Sequence, residues 1–511
     1  MDADVAVVGY GPVGMATAAL LARAGHRVVV LERYSGLYNL PRAAIFDDET
    51  MRTFARLGIA EKLLPKLHVQ RHYEWRNGVG DLLIDVEYAE KGRSGWAEWY
   101  MMYQPDLEDA LHEVCDGMST VDVRFGCAVT GVRDTADGVE LTVDGGAPVR
   151  ARYVVGCDGG NSFVRETLGI DQFDYGFSEP WLVCDFRLRR PVDVPPARQV
   201  GDPRQPVSII SLGPDHHRFS FMLDSPEDFE TERRPQRVWR RVTEHLSPQD
   251  ADLIRAATYT FRSLVALHWR IGRVLLAGDA AHQMPPFLGQ GMCSGVRDAQ
   301  NIAFKLDLVL SGRAGDELLD TYQPEREPHV RAVIEKGIEL GRLQTLRDPA
   351  AAAERDRRLL AQRAARQAPE KIHFPGLGPG FLADASGPGR GELSPQAVVG
   401  DGARQGLLDE IVGTGFCLLT TAATGRTLEA DGTAAELRAA GVQVAVLSQE
   451  PGAGELLDVD GTYHEWFAEL GCTAALVRPD FYVYGTAADA EAARAVATEL
   501  RTAIDTVTTS V

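Results

Sequence analysis

The sequence predicts a mixed α/β fold of about three domains, since its 511 residues exceed the roughly 150 of one typical domain. Three observations indicate this class. The first 33 residues alternate an apolar strand, a glycine-rich turn, a helix and a second strand. Residues 173–266 consist largely of alternating strands. After a Pro- and Gly-rich stretch at 372–395, strands and helices alternate again.

The opening segment, residues 4–33, carries the clearest motif. An apolar strand leads into Gly9, Gly11 and Gly14, which are spaced as G-x-G-x-x-G before a helix. In a βαβ unit the first glycine permits the tight turn, the second lets the backbone approach a pyrophosphate, and the third lets the helix pack on the strand. The next strand ends in Glu32, placed to bind the ribose of an adenosine. The segment therefore predicts a dinucleotide-binding domain.

The composition excludes several classes of protein. A net charge of −20 and a pI near 5.1 argue against a nucleic-acid partner. No apolar run reaches the roughly 18 residues that a membrane span needs, so we expect a soluble, cytoplasmic protein without a membrane partner. The seven cysteines are scattered without C-x-x-C or histidine pairing, which predicts free thiols and no metal site.

The pattern along the chain also predicts where the domains lie. A hairpin signal at Asn77-Gly78 and many aromatic residues indicate that the chain leaves the first domain early for a sheet. We expect a first domain from residues 1–70, 101–172 and 267–345; a substrate-binding sheet domain from 71–100 and 173–266; a helix and linker at 346–395; and a C-terminal α/β domain at 396–511.

Two further motifs follow predicted strands. Gly156-Cys157-Asp158-Gly159 repeats the strand, turn and helix of the opening segment, and Gly278-Asp279 precedes the loop MPPFLGQGM and a helix. In this order the three motifs resemble the class A flavoprotein aromatic hydroxylases, which have the p-hydroxybenzoate hydroxylase fold. Within this family, the sequence pattern is most similar to the branch of 3-(3-hydroxyphenyl)propionate, polyketide and phenol hydroxylases. The resemblance implies a Rossmann-like FAD-binding domain, an inserted β-sheet substrate domain and a C-terminal thioredoxin-like domain.

The resemblance also implies which residues bind FAD. Asp158 would assist both FAD and nicotinamide binding, and Asp279 would hold the ribityl chain, although each acid could instead cap the next helix. The helix after Gly291 would direct its N-terminus at the flavin. The full set of implied cofactor contacts is Gly9, Gly11, Pro12, Val13, Gly14, Glu32, Arg33, Arg42, Gln104, Asp158, Gly278, Asp279, Pro286, Gly289, Gly291 and Met292.

The chemistry that the resemblance implies is reduction of FAD by NADPH or NADH, reaction with O2 to a flavin C4a-hydroperoxide, and hydroxylation of a phenolic or electron-rich heteroaromatic small molecule. Such an enzyme would act in aromatic catabolism or natural-product biosynthesis. Pro286 would shield the reactive carbon from water, unless it is an ordinary loop proline. Asp47 or Asp48 could deprotonate the substrate, or both could simply be first-turn helix acids.

Other functions stay open at this point. An FAD-dependent reductase or an antibiotic-modifying flavoprotein of the same fold is an alternative, as is a non-catalytic flavin-binding protein. A flavin-dependent halogenase is disfavoured because W-x-W-x-I-P is absent. In the tail, Cys417 and Cys472 lie far apart, so we expect a packing or oligomerisation role there and a homo-oligomer overall.

Overall fold

The computed structural model describes residues 1–369, 372–384 and 386–505. The predicted C-terminal domain thus extends past the described part by residues 506–511. Within the described ranges the chain forms four sheets flanked by helices. The elements from the N-terminus to residue 170 are β1 Ala3–Val8, α1 Pro12–Arg23, β2 Val28–Glu32, β3 Ile45–Asp47, α2 Asp48–Arg56, α3 Ala60–Leu63, β4 His68–Val69, β5 His72–Asn77, β6 Leu82–Glu87, β7 Trp99–Met101, α4 Gln104–Asp116, β8 Val121–Phe125, β9 Val129–Asp134, β10 Val139–Val143, β11 Val149–Gly156 and α5 Phe163–Thr167.

The middle of the chain supplies long strands and then long helices. Its elements are β12 Gln172–Leu188, β13 Ala197–Gly201, β14 Val207–Ser211, β15 His216–Met222, α6 Phe229–Glu232, α7 Pro235–Arg241, β16 Ala251–Ala266, β17 Arg270–Ile271, β18 Val274–Leu276, β19 His282–Gln283, α8 Gly291–Leu310, α9 Tyr322–Gln344 and α10 Pro349–Ala364. Short 3-10 turns lie at Leu64–Lys66, Pro226–Asp228, Gly278–Ala280, Pro286–Leu288 and Asp316–Thr321.

The C-terminal part forms its own sheet with helices on it. Its elements are β20 Val398–Gly400, β21 Gln405–Leu407, α11 Leu408–Ile411, β22 Cys417–Thr421, α12 Ala422–Ala430, α13 Thr433–Ala439, β23 Gln443–Ser448, β24 Leu456–Asp458, α14 Thr462–Leu470, β25 Ala474–Val477, β26 Val483–Ala487 and α15 Ala490–Asp505.

The first sheet is the predicted Rossmann-like layer. Its strand order is β17-β18-β11-β1-β2-β8, with β10 and β9 continuing from β11. Strands β18, β11, β1, β2 and β8 run parallel, so their carboxyl ends lie along one edge. The residues that follow three of these ends are Gly9, Cys157 and Ala277. The three glycine motifs therefore meet at one edge, which is where open α/β sheets bind ligands.

The second sheet has the order β19-β16-β12-β15-β14-β13-β5-β6. All its strand pairs are antiparallel except β13 with β5. Through this pair, residues 72–87 join strands that lie more than 100 positions away in sequence. One face packs against α7 through apolar side chains that include Leu182, Phe219 and Val238. Because side chains alternate along a strand, the strand residues next to these apolar ones point to the opposite face of the sheet.

The third sheet has the order β21-β20-β24-β23-β22-β25-β26. Strand β22 is parallel to β23 and antiparallel to β25, and β25 pairs antiparallel with β26. With helices between β22 and β23, α14 before β25 and α15 after β26, this connectivity is that of the thioredoxin fold. A small sheet, β3-β7-β4, completes the set. All seven cysteines are free thiols, and five of them are buried.

A buried ionic cluster joins the C-terminal part to the helices of the first domain. Arg478 donates to Glu325 of α9 at 2.7 Å and to Asp480 at 2.6 Å, and Lys305 of α8 donates to the same Glu325 oxygen at 2.8 Å. The side chains of Arg478, Glu325 and Lys305 are fully buried. Burial alone would raise the pKa of Glu325, but the two cations lower it to about 2. In the described ranges, no helix is both long and apolar enough to cross a membrane.

Candidate active site

A cleft of about 2340 Å³ lies between the carboxyl edge of the first sheet and one face of the second. Gly14 and Gly278, two of the predicted cofactor residues, are buried. The other predicted cofactor residues line the cleft: Gly9, Gly11, Pro12, Val13, Glu32, Arg33, Arg42, Gln104, Asp158, Asp279, Pro286, Gly289, Gly291 and Met292.

Each glycine of the first motif suits its position for a different local reason. Gly9 has a φ of +99°, and a Cβ there would lie 2.5 Å from the carbonyl oxygen of Cys157. A Cβ on Gly14 would lie 2.1 Å from the carbonyl oxygen of Gly9. A Cβ on Gly11 would have no atom within 4 Å, and no side chain caps α1 at this residue. The open space before an uncapped helix N-terminus fits the pyrophosphate of FAD.

Glu32 closes the adenosine end of this cradle. Its two carboxylate oxygens accept the backbone N–H groups of Tyr10 and Tyr34 at 2.8 and 2.9 Å. These bonds hold the carboxylate at the carboxyl end of β2, where each oxygen keeps a lone pair for a ribose hydroxyl. The neighbouring Arg33 is exposed, and its guanidinium lies 5.0 Å from the ring centroid of Tyr34.

Gln104 holds the loop that carries Arg42. Its Oε1 accepts the backbone N–H groups of Arg42 and Ala43 at 3.2 and 2.6 Å, and its Nε2 donates to Glu108 at 2.6 Å. The Arg42 guanidinium is exposed and stacks over the ring of Tyr38, 4.4 Å from its centroid. Gln104 is thus a buried support for the loop, whereas Arg42 presents a positive charge to the cleft.

The two predicted acids at the strand ends differ in their partners. Asp158 accepts Ser162 Oγ at 2.5 Å and the backbone N–H of Val164 at 3.0 Å, so its carboxylate stabilises the start of α5, as the capping alternative expects. Asp279 has no hydrogen-bond partner in the described part of the chain. It is open to the cleft yet deep in the molecule, and this loss of hydration raises its pKa. Such an acid fits the hydroxyls of a ribityl chain.

The loop after Asp279 forms the remaining wall. Pro285 and Pro286 lead into Phe287, which packs edge-on against Trp181 with ring centroids 6.0 Å apart. Gly289 is left-handed at a φ of +63°, and the loop then enters α8 at Gly291 without a side-chain cap. The N-terminus of α8 therefore faces the cleft, where it would favour negative charge on a bound flavin.

The structure places neither Asp47 nor Asp48 in the wall of the cleft. Asp47 caps α2 by accepting the backbone N–H of Thr50, and it also accepts Arg297 and Gln290. Burial opposes its ionisation, but Arg297 and these donors lower its pKa to about 2. Asp48 accepts the backbone N–H of Ser94, while burial and the charge of Asp47 raise its pKa to about 7. Both acids thus have structural partners at the start of α2.

Sequence reasoning did not find the part of the cleft that the second sheet provides. The cleft-facing positions of β5, β13, β14, β15, β12 and β16 combine aromatic and polar side chains: Trp75, Gln199, Ser208, Arg218, Ser220, Trp181, Arg255 and Tyr259. The polar residues of β14 and β15 were a signal, because Ser208 and Ser220 alternate with apolar residues of the core on the other face. Among the described residues, no group of three or more His, Cys, Asp or Glu is placed to hold a metal ion.

Comparison with protein families identifies the class of this protein. The FAD binding domain family matches residues 2–337, and the HcaD C-terminal domain family matches residues 391–503. The chain belongs to the FAD-binding family of aromatic hydroxylases, and the predicted resemblance, fold class and FAD cofactor are confirmed. The protein is an FAD-dependent monooxygenase that hydroxylates an aromatic compound.

Individual relatives cover nearly the whole chain. It is 52% identical to the probable NADH-specific resorcinol 4-hydroxylase of Rhodococcus jostii strain RHA1, over 98% of this chain and 95% of that protein. It is 35% identical to the 3-(3-hydroxy-phenyl)propionate/3-hydroxycinnamic acid hydroxylase of Mycolicibacterium gilvum, over 94% and 88% of the two chains. Among solved structures, aklavinone-11 hydroxylase with FAD and aklavinone has a TM-score of 0.78 at 27% identity and 99% coverage of both chains. The anhydrotetracycline hydroxylase of Streptomyces rimosus has a TM-score of 0.77 at 27% identity, with 99% coverage of both.

Proposed function

We propose that this enzyme hydroxylates a small uncharged phenol of the dihydroxybenzene type, for which resorcinol is the first candidate, with NADH and O2. One atom of O2 is inserted into a ring C–H bond to give a hydroxyl group, and the other atom leaves as water. NADH and one proton are consumed, and NAD⁺ is formed. The 52% identity to a probable NADH-specific resorcinol 4-hydroxylase supports both the substrate and the reductant.

The charge of the sheet wall is the observation that carries the proposed substrate class. Two of its arginines, Arg218 and Arg255, are more than 90% buried and share Asp185, which accepts Arg218 at 2.6 Å and lies 3.6 Å from Arg255. Both arginines also donate to the carbonyl oxygen of Pro41. Since these two cations are already engaged, neither of them is free to bind a carboxylate substrate. The side chains beside them on the wall include the aromatic Trp181 and Tyr259 and the neutral polar Ser208 and Ser220, which suit a phenol.

The chain's own residues would position the reactants and exclude water. FAD, when bound, supplies the redox chemistry that links nicotinamide, oxygen and ring. The residues that would hold it include Glu32, Asp279 and the open backbone at Gly11, while Pro286 would shield the site from water. The loop of Pro286 and Phe287 packs tightly on α9, because a Cβ on Gly341 of that helix would lie 2.4 Å from the Phe287 ring.

We also propose that the enzyme acts in the cytoplasm as a homo-oligomer. Free thiols at all seven cysteines support a reducing compartment. Oligomerisation stays a prediction that light scattering of the purified holoenzyme checks, and the domain limits given above stay predictions for limited proteolysis. The proposed contacts of Arg33, Arg42 and Asp158 with the cofactor are checked by flavin affinity of their alanine variants.

The experiment that tests the proposed function compares three aromatic compounds in the purified holoenzyme. Resorcinol, phenol and 3-(3-hydroxyphenyl)propionate are each supplied with NADH or NADPH, and nicotinamide oxidation, O2 uptake and product are measured together. We expect NADH oxidation coupled to a trihydroxybenzene product with resorcinol alone. Efficient turnover of the propionate with no resorcinol product would refute the proposed substrate class.

A further inference from the structure

We propose that three polar side chains on the second sheet, Gln199, Ser208 and Ser220, bind the two hydroxyl groups of a meta-dihydroxybenzene. We call these three residues the polar row. The inference rests on the proposed function and assigns the residues that select the substrate within it.

The polar row is set by strand register. Gln199 of β13 pairs with Ser208 of β14, and Ser208 pairs with Ser220 of β15. On the flanks, Gln199 pairs with Trp75 and Ser220 pairs with Val183. Side chains of directly paired residues point to the same face of a sheet, so the three polar groups stand side by side on the cleft face.

The hydrogen-bonding groups of the polar row have no partners within the protein. Gln199 is 2% exposed, and its Nε2 is buried without a hydrogen bond. In the described part of the chain, the hydroxyls of Ser208 and Ser220 make no hydrogen bond either. A buried unsatisfied donor costs about 1–3 kcal/mol, so native structures rarely keep one without a reason. A ligand with oxygen atoms would satisfy these groups.

Aromatic side chains lie beyond both ends of the polar row. Trp75 lies at one end, and Trp181, a diagonal neighbour of Ser220, contacts Phe287 of the proline loop. On the other side, Arg218 ties the sheet to the carbonyl oxygen of Pro41. Neighbouring strands lie roughly 4.8 Å apart, which is also about the separation of two meta hydroxyl oxygens on benzene. One hydroxyl at Gln199 and the other at Ser208 would therefore lay the ring along this face of the sheet, with Ser220 one strand further on.

Ligand titration of the oxidised holoenzyme without NADH tests this assignment. The change in flavin absorbance gives Kd for resorcinol and for phenol, which lacks the second hydroxyl. In Gln199→Leu we expect the Kd for resorcinol to rise at least about 10-fold and that for phenol less than about 3-fold. Ser208→Ala, a smaller change, should raise the Kd for resorcinol about 3- to 10-fold. Gln172→Leu is the matched control, because Gln172 also has an unpartnered amide on this sheet but does not line the cleft.

The outcomes separate this inference from the proposed function. If the wild-type enzyme binds and hydroxylates resorcinol but both variants keep its Kd, or lose phenol affinity equally, the assignment of the polar row is refuted and the proposed function stands. If the wild-type enzyme neither binds nor hydroxylates resorcinol, the proposed function fails, and the inference fails with it. A loss of resorcinol affinity in Gln172→Leu equal to that in Gln199→Leu would also refute the assignment.

Discussion

Alanine at Gly11 and at Gly14 should separate cofactor contact from folding, because the two glycines face different surroundings. Gly11 has a φ of −83° and a ψ of −177°, which alanine adopts freely, and its added methyl would meet no protein atom within 4 Å. Loss of a glycine at an N-cap lowers the stability of the folded protein, whereas the reduced entropy of the unfolded chain raises it. We expect the apoprotein of Gly11→Ala to unfold within about 1 kcal/mol of wild type.

The same methyl should weaken FAD binding, since it occupies the space proposed for the pyrophosphate. Introducing a methyl into a filled site costs typically 1–3 kcal/mol, and 2 kcal/mol corresponds to an increase in Kd of about 30-fold. Gly14→Ala should behave differently. Its Cβ would lie 2.1 Å from the Gly9 carbonyl oxygen, so strand and helix must move apart and the apoprotein itself loses stability.

Two measurements on each variant decide this prediction. Flavin fluorescence quenching gives the Kd for FAD, and thermal unfolding of the apoprotein gives its stability. Gly25→Ala, at a glycine that is also open but has a left-handed φ of +94° unlike Gly11, reports the effect of backbone strain away from the cleft. If Gly11→Ala binds FAD as tightly as wild type, the pyrophosphate does not lie against this backbone and the placement of the cofactor is wrong.

The remaining predictions concern stability. Arg478→Met should destabilise the contact between the C-terminal part and α9 by about 3–5 kcal/mol, because it leaves buried Glu325 with one fewer cation; a urea midpoint equal to that of the exposed control Arg494→Met would contradict this. Burial, then His68 and His245, lower the pKa of His217 to about 4. Because the folded protein favours the neutral imidazole, its free energy of unfolding is highest above pH 6.5. About 3 kcal/mol of that free energy is lost as pH falls from 6.5 towards 4. His217→Gln should flatten this pH profile and exposed His268→Gln should not.

The features predicted best from sequence depend on residues that are near one another in the chain. The G-x-G-x-x-G turn, its helix and Glu32 lie within one βαβ unit, so spacing alone indicates their arrangement. The hairpin at Asn77-Gly78 is also local, and the structure has it between β5 and β6. Such short-range patterns predicted the mixed α/β class and a dinucleotide-binding domain, and the resemblance that the motifs carry implied FAD.

Features that depend on distant partners could not be predicted in the same way. Asp47 looked equally suited to a catalytic base and to a first helical turn, and only its contact with Arg297, 250 positions away, distinguishes the two environments. The polar row likewise depends on the register of β13 with β14 and β15, and its flank on the parallel pairing with β5. Alternation predicted strands in this region, but alternation does not determine which strands pair or in which register.

The division of the cleft between two sheets explains how relatives with one fold can be named for different aromatic substrates. Their names include resorcinol, hydroxyphenylpropionate and aklavinone hydroxylases, and they share the FAD-binding part with this chain. The cofactor motifs lie in turns at the edge of the first sheet, whereas Gln199 and Ser208 lie within strands of the second. On the proposed assignment, a substitution at Ser208 changes what the ring contacts without altering the apolar core on the opposite face, to which Ile209 belongs. Substrate choice can therefore change at the polar row while the glycine turns, which have tight steric limits, stay as they are.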